Sequence, residues 1–328
     1  MKQKYTLEIV FLVMVIAVSV VGFSSLALGE QPMLNAYHVL HIITSLAWLL
    51  LLVTQLVFIR QRRFHLHRTI GTSIFAAGPV LVASLTLLTV HSAAKDAVRG
   101  RADNLVVQNV TFAMEVALLV FLAFMMRRNR SVHGALLMCT ALMFLAIALF
   151  FALISYVPGY LIEGPETFSH FAEAAQASAL ICSVIGLLFF LKNWRTGWPW
   201  LLTTSFFFLN GYLQGTTDAK PLTMLVASIG RVPAFAWSLT IFLALLWVAW
   251  KVAPATRIEA GSDQHLTGRR QVTNPLRTDL RRPRTRQEET LGTPLGAVPA
   301  EPPAHAPMAN TGFARGARAC GIEGIKGT

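Results

Sequence analysis

Eight stretches of this 328-residue chain are long and apolar enough to be read as membrane-crossing helices, and that removes most folds at once. They cover about 8–28, 38–59, 71–91, 105–126, 134–155, 174–191, 199–214 and 232–252. A spanning helix needs roughly 20 mostly apolar residues, because no water reaches the bilayer core to satisfy an open backbone. The runs are continuous rather than alternating, which disfavours a β-barrel. Lys2 and Lys4 precede the first run as they would in a signal peptide. That run is nevertheless span-length and lacks a small-residue cleavage pattern before Glu30, so it is read as a span. The stretch over 199–214 is the least apolar, since it carries Asn210 and Gln214. The fold class expected is therefore all-α: a polytopic integral membrane helical bundle of about eight transmembrane helices over residues 1–252.

Composition supports this and bounds the remainder. Apolar residues make up 54% of the chain and charged ones 13%, against about 25% charged in soluble domains, which excludes an ordinary soluble enzyme. After Val252 the pattern breaks. Residues 253–328 hold 8 of the 15 prolines and almost no aromatic residue, too little apolar surface to offset the entropy of ordering. A disordered, Pro- and Arg-rich cytoplasmic tail is expected there. Cys139, Cys182 and Cys320 are far apart, so neither a disulfide framework nor a thiolate zinc site is supported.

The formal net charge of +12 raises nucleic acid as a partner, but its placement argues otherwise. Residues 1–252 carry 17 Lys or Arg in short clusters between apolar runs. Twelve of them fall on one side of an eight-span arrangement and five on the other. Basic loops of that asymmetry hold cytoplasmic faces in place, so both termini are expected in the cytoplasm. Anionic lipid headgroups are the partner such loops suit, and no nucleic-acid fold is visible.

Polar groups inside a bilayer are costly and face the bundle interior, so they carry the functional signal. His41, Trp48 and Gln55 are spaced by seven and share one face of the second span, with Ser45 between them. His38 lies one turn before His41, and His91 ends the third span at what the topology makes a similar depth. Imidazoles on facing helices are the means by which a membrane bundle holds haem iron or another metal. A second constellation lies in the basic loops. One reads Arg60-Gln-Arg-Arg-Phe-His65-Leu-His67-Arg68-Thr-Ile-Gly71, and the other Arg127-Arg-Asn-Arg130-Ser-Val-His133-Gly134-Ala-Leu-Leu-Met138. Each sets a His beside basic residues at a helix start. His67 and His133 are the second candidate ligand pair, with Arg68 and Arg130 placed for a haem propionate or a lipid headgroup.

These loops also carry a resemblance. Leu66-His67-Arg68-x-x-Gly71 followed by His133-x-x-x-Leu137-Met138 is similar to a group of uncharacterised bacterial multi-spanning membrane proteins with LHRxxG and HxxLM-type signatures. The likeness covers roughly residues 36–155. The basic residue usual after the second-loop histidine is Gly134 here, and Arg231-Val-Pro233 stands where a histidine is often found near the last span. The resemblance implies the bacterial inner membrane and brings no activity with it.

Glu115 lies in the middle of the fourth span, with Gln108 on the same face. An intramembrane carboxyl is a functional candidate by default. The chain has no phosphate-cradling Gly-rich loop, no HExxH and no GxSxG. Three functional expectations follow. One is a haem b or metal protein that passes electrons to a redox partner not legible in the sequence. Another is a proton-coupled transporter using Glu115 and the histidines. The third is a non-catalytic membrane protein whose polar groups only set helix packing.

Overall fold

A computed structural model describes residues 5–28, 35–100, 104–162 and 164–252. The expectations placed on Lys2, Lys4, Glu30 and the tail from Ala253 onward lie outside the described residues. Within them the chain is helical, with no strand. The helices are α1 (Thr6–Leu28), α2 (Ala36–Arg60), α3 (Phe64–Gly71), α4 (Ile74–Val98) and α5 (Asn104–Met125). They continue as α6 (Arg130–Tyr156), α7 (His170–Lys192), α8 (Trp198–Thr216), α9 (Ala219–Ile229) and α10 (Arg231–Val252).

Local signals explain the boundaries. Asn35 caps α2, its side-chain oxygen accepting from the Tyr37 and His38 N–H groups, and Asn129 caps α6 through the Val132 N–H. The sequence suggests that Pro233 kinks the last span. It lies instead in the first turn of α10, where a missing N–H leaves no helical bond unmade. Gly230, at φ +79°, supplies the left-handed residue between α9 and α10. The first basic loop is not plain loop either. After Arg62 turns the chain at φ +60°, residues 64–71 form α3, a short polar helix with no buried residue.

Seven helices are long and apolar enough to cross a membrane: α1, α2, α4, α5, α6, α7 and α10. Helix α8 is the exception, as its Asn210 and Gln214 foreshadow, yet its packing carries it through the bundle. Just before it, Thr196 and Asn193 bond Ser131 at the start of α6. Its Asn210 reaches Glu115 in the middle of α5. The following α9 packs Val226 with Val90, Ala93 and Val106 at the opposite end. Eight helices among the described residues therefore traverse the bundle, and Tyr5 and Val252 lie at the same end. The pairs that define this end are Lys192–Glu8, Arg127–Trp250 and Phe75–Trp250. Asn35–His91 and Ser24–Tyr156 mark the other.

Helices α4 and α6 are the most enclosed, while the outer faces of α7, α8 and α10 leave Leu188, Phe208 and Trp237 exposed. A soluble protein avoids apolar exposure on that scale, and lipid contact requires it. Because lipid tails are as apolar as leucine, close packing rather than water exclusion must join the helices. Gly22 shows how: a Cβ there would overlap the Ala148 carbonyl, so glycine lets α1 lie against α6.

Candidate functional site

The inward face of α2 is a polar ladder running almost the length of the helix. It begins at Asn35, which is both a helix cap and a hub. Its side-chain oxygen accepts from His38 Nδ1–H at 2.8 Å, and its amide donates to His91 Nε2 at 2.7 Å. Tyr37 stacks on His91 with ring centres 4.4 Å apart, and the Arg231 guanidinium lies 5.5 Å from the Tyr37 ring centre. Arg231, which stands where the resemblance leads one to look for a histidine, thus joins the same cluster.

One turn further in, His41 is 9% exposed and finds only long contacts, 3.5 Å to the hydroxyls of Ser84 and Ser45. It borders a small cavity of about 20 Å³, roughly one water in size, together with Ser19, Ser45 and Phe144. Thr44 and Ser84 share a 2.7 Å bond across α2 and α4. Two turns on, Trp48 is fully buried and its indole N–H donates to Thr140 Oγ1 of α6 at 2.8 Å.

The far end of the ladder gathers the motif residues. With its amide turned so that both ends are satisfied, Gln55 donates to the His67 carbonyl at 2.9 Å and to His67 Nδ1 at 2.5 Å, and accepts from the Gly71 N–H at 3.2 Å. The Leu66-His67-Arg68-x-x-Gly71 segment is thus the piece that docks α3 onto the end of α2. Accepting at Nδ1 leaves the neutral His67 with its proton on Nε2. His133 has the opposite tautomer: Nδ1–H donates to the Ala123 carbonyl at 2.7 Å, which leaves a lone pair on Nε2. Burial, and then the charge of His133, holds His67 below its usual 6.5.

The structure therefore brings His67 and His133 into one neighbourhood but gives them complementary protons rather than two lone pairs. His41 and His91 have separate partners, and Ser84, which His41 meets, lies two helical turns from His91. Arg68 and Arg130 are exposed beside the His67–His133 neighbourhood. Among the described residues, no group of three or more His, Cys, Asp or Glu side chains is placed to hold a metal ion.

The third element stands apart from the ladder. Glu115, in the middle of α5, is 6% exposed, and its Oε2 accepts from the Asn210 amide of α8 at 2.9 Å. Glu115 Oε1 and Asn210 Oδ1 are both buried and have no other partner. No described cation forms an ion pair with this carboxyl; the Lys192–Glu8 pair lies at the end of the bundle.

Sequence reasoning missed several of these partners. Asn35 carried a visible signal, the cap preference for asparagine at a helix start. Asn210 shows in the sequence only as a polar residue in a weakly apolar run, and nothing in spacing joins it to Glu115, 95 residues earlier. Thr140 gave no signal beyond being a hydroxyl in an apolar run. Comparison of the chain with protein-family models, with curated proteins and with solved structures finds no match.

Proposed function

We propose that the protein is a proton-coupled membrane carrier in which Glu115 takes up and releases the proton. The observation that carries this reading is a buried carboxyl in mid-span whose bonding partner is one neutral amide. An ionised carboxylate without a cation in such a place costs several kcal/mol, so the resting form is the neutral acid. Releasing the proton requires the surroundings of Glu115 to change, and that requirement is what couples a proton to a movement of the helices. The imidazole clusters at the two ends of the bundle stand where protons would enter and leave. In vesicles with an imposed pH gradient, wild-type protein should dissipate the gradient and Glu115→Gln should do so no faster than empty vesicles. Equal rates for both proteins would return the polar groups to a purely structural role.

A second reading has its own support. The bond from His133 Nδ1–H to a carbonyl is the arrangement that steadies a ligating imidazole and leaves Nε2 for iron. In that reading His133 and His67 would hold haem b, Arg68 and Arg130 would meet its propionates, and the group would supply electron transfer across the membrane. It requires His67 to exchange its Gln55 bond for one that frees Nε2. Purified protein should then show a low-spin haem spectrum that His133→Ala converts to a five-coordinate one; a haem-free wild type sinks it.

We further infer that the end bearing Arg60, Arg68, Arg127, Arg130 and Lys192 faces the cytoplasm of a bacterial inner membrane and meets anionic lipid there. The excess of basic residues at that end supports this orientation. A reporter fused after Lys192 should read cytoplasmic and one near Glu166 periplasmic; the reverse pattern overturns the assignment.

A further inference from the structure

Asn210 and Glu115 each hold one satisfied and one orphaned atom, and the two orphans are chemically complementary. Asn210 Nδ2 donates to Glu115 Oε2 at 2.9 Å, which leaves Glu115 Oε1 and Asn210 Oδ1 as two buried oxygens with no hydrogen between them. Two acceptors cannot satisfy each other. A proton on Oε1 turns that oxygen into a donor, and one bond from it to the amide oxygen resolves both orphans. We infer that Asn210 is the positioning residue that holds the proton on Glu115, by closing a reciprocal acid–amide ring between α5 and α8. The inference rests on the carrier reading above and names how its site binds the proton.

The proton comes from water or hydronium and leaves as such, so no bond other than Oε1–H forms or breaks. The surroundings leave the ring as the place where this proton is held. Helices α4, α6, α8, α9 and α10 pack against α5. Their titratable groups are His91, Lys95 and Asp96 in the last two turns of α4, Arg130 and His133 at the start of α6 with Cys139 beyond and Tyr156 at its end, Tyr212 on α8, Lys220 on α9, and Arg231 and Lys251 at the two ends of α10. None of them has a hydrogen bond or ion pair with Glu115. The ring also gives α8 a reason to stay. This helix is the least apolar of the eight that traverse the bundle, and the bond to Glu115 ties it to α5 as the Thr203–Cys139 bond ties it to α6. Loss of the proton leaves two acceptors facing each other, which loosens α8 from α5.

Infrared spectroscopy of the full chain in a bilayer tests this. At neutral pH the wild type should show a carboxylic acid C=O band that Glu115→Gln removes, at the low frequency of a doubly hydrogen-bonded acid. Asn210→Leu should keep the band and move it to higher frequency. Asn210→Ser, too short to span the gap, should move it likewise, and it serves where the leucine variant does not fold. A band at the same frequency in the wild type and the Asn210 variants overturns the ring while leaving a neutral Glu115 intact. A wild type with no such band also overturns the ring; the carrier reading is then decided separately, by whether Glu115→Gln abolishes the vesicle flux.

Discussion

Replacing Trp48 with Ala is expected to destabilise the bundle by about 3 kcal/mol, the cavity cost of a side chain this large in a site that cannot collapse. Trp48 has no exposed surface and sits where α2 meets α6, among the side chains of the main core. In lipid the cost arises from lost contact rather than from water entering, since tails and core are equally apolar. The indole bond to Thr140 separates the two contributions. Trp48→Phe keeps most of the volume and gives up that bond, which in a membrane bundle is worth about 0.6 kcal/mol on average and at most about 1.7. Reversible unfolding in mixed detergent should rank wild type, Phe and Ala in that order. A Phe variant as unstable as Ala would place the energy in the hydrogen bond instead of the packing.

Substitution at Glu115 should separate stability from activity. Gln has the shape of the neutral acid and brings its own N–H, so it can donate to Asn210 Oδ1 while accepting from Asn210 Nδ2. Glu115→Gln is therefore expected to unfold like the wild type while its vesicle flux falls to background. Glu115→Ala removes both partners of Asn210 at once and leaves a buried amide unsatisfied, a loss of about 1–3 kcal/mol. The ordering Gln above Ala in stability, with both inactive, is the signature of a carboxyl that acts through its proton. A Gln variant that retains full flux would remove Glu115 from the mechanism.

Much of the fold was legible because the bilayer leaves a chain few choices. Long apolar runs mark their own helices, and the marginal run over 199–214 is a helix packed through the bundle, though it is not among the seven apolar enough to cross a membrane. What escaped was the short and polar structure. Helix α3 has no long apolar run to announce it, and its place comes from Gln55 bonding His67 and Gly71. The stripe of His41, Trp48 and Gln55 was visible from seven-residue spacing, and all three point inward. Their partners were not visible, because Thr140, Ser84 and His67 lie on other helices and spacing along one helix says nothing about rotation of the next. His91 lies beside His38, their ring centres 6.4 Å apart, rather than beside His41. The sequence suggests the level of His41, but Asn35 draws His91 toward the start of α2. Glu115 announced itself as a carboxyl in an apolar run; its pairing with Asn210 depends on a tertiary contact between α5 and α8 that no local pattern records.

The proton on Glu115 is read directly by carbon-13 NMR of glutamate-labelled protein in a bilayer. The Glu115 carboxyl resonance is identified by its absence in Glu115→Gln. At pH 7 it should lie at the position of a protonated acid rather than that of an ionised carboxylate. A Glu115 resonance at the ionised position in folded protein at pH 7 would contradict the account.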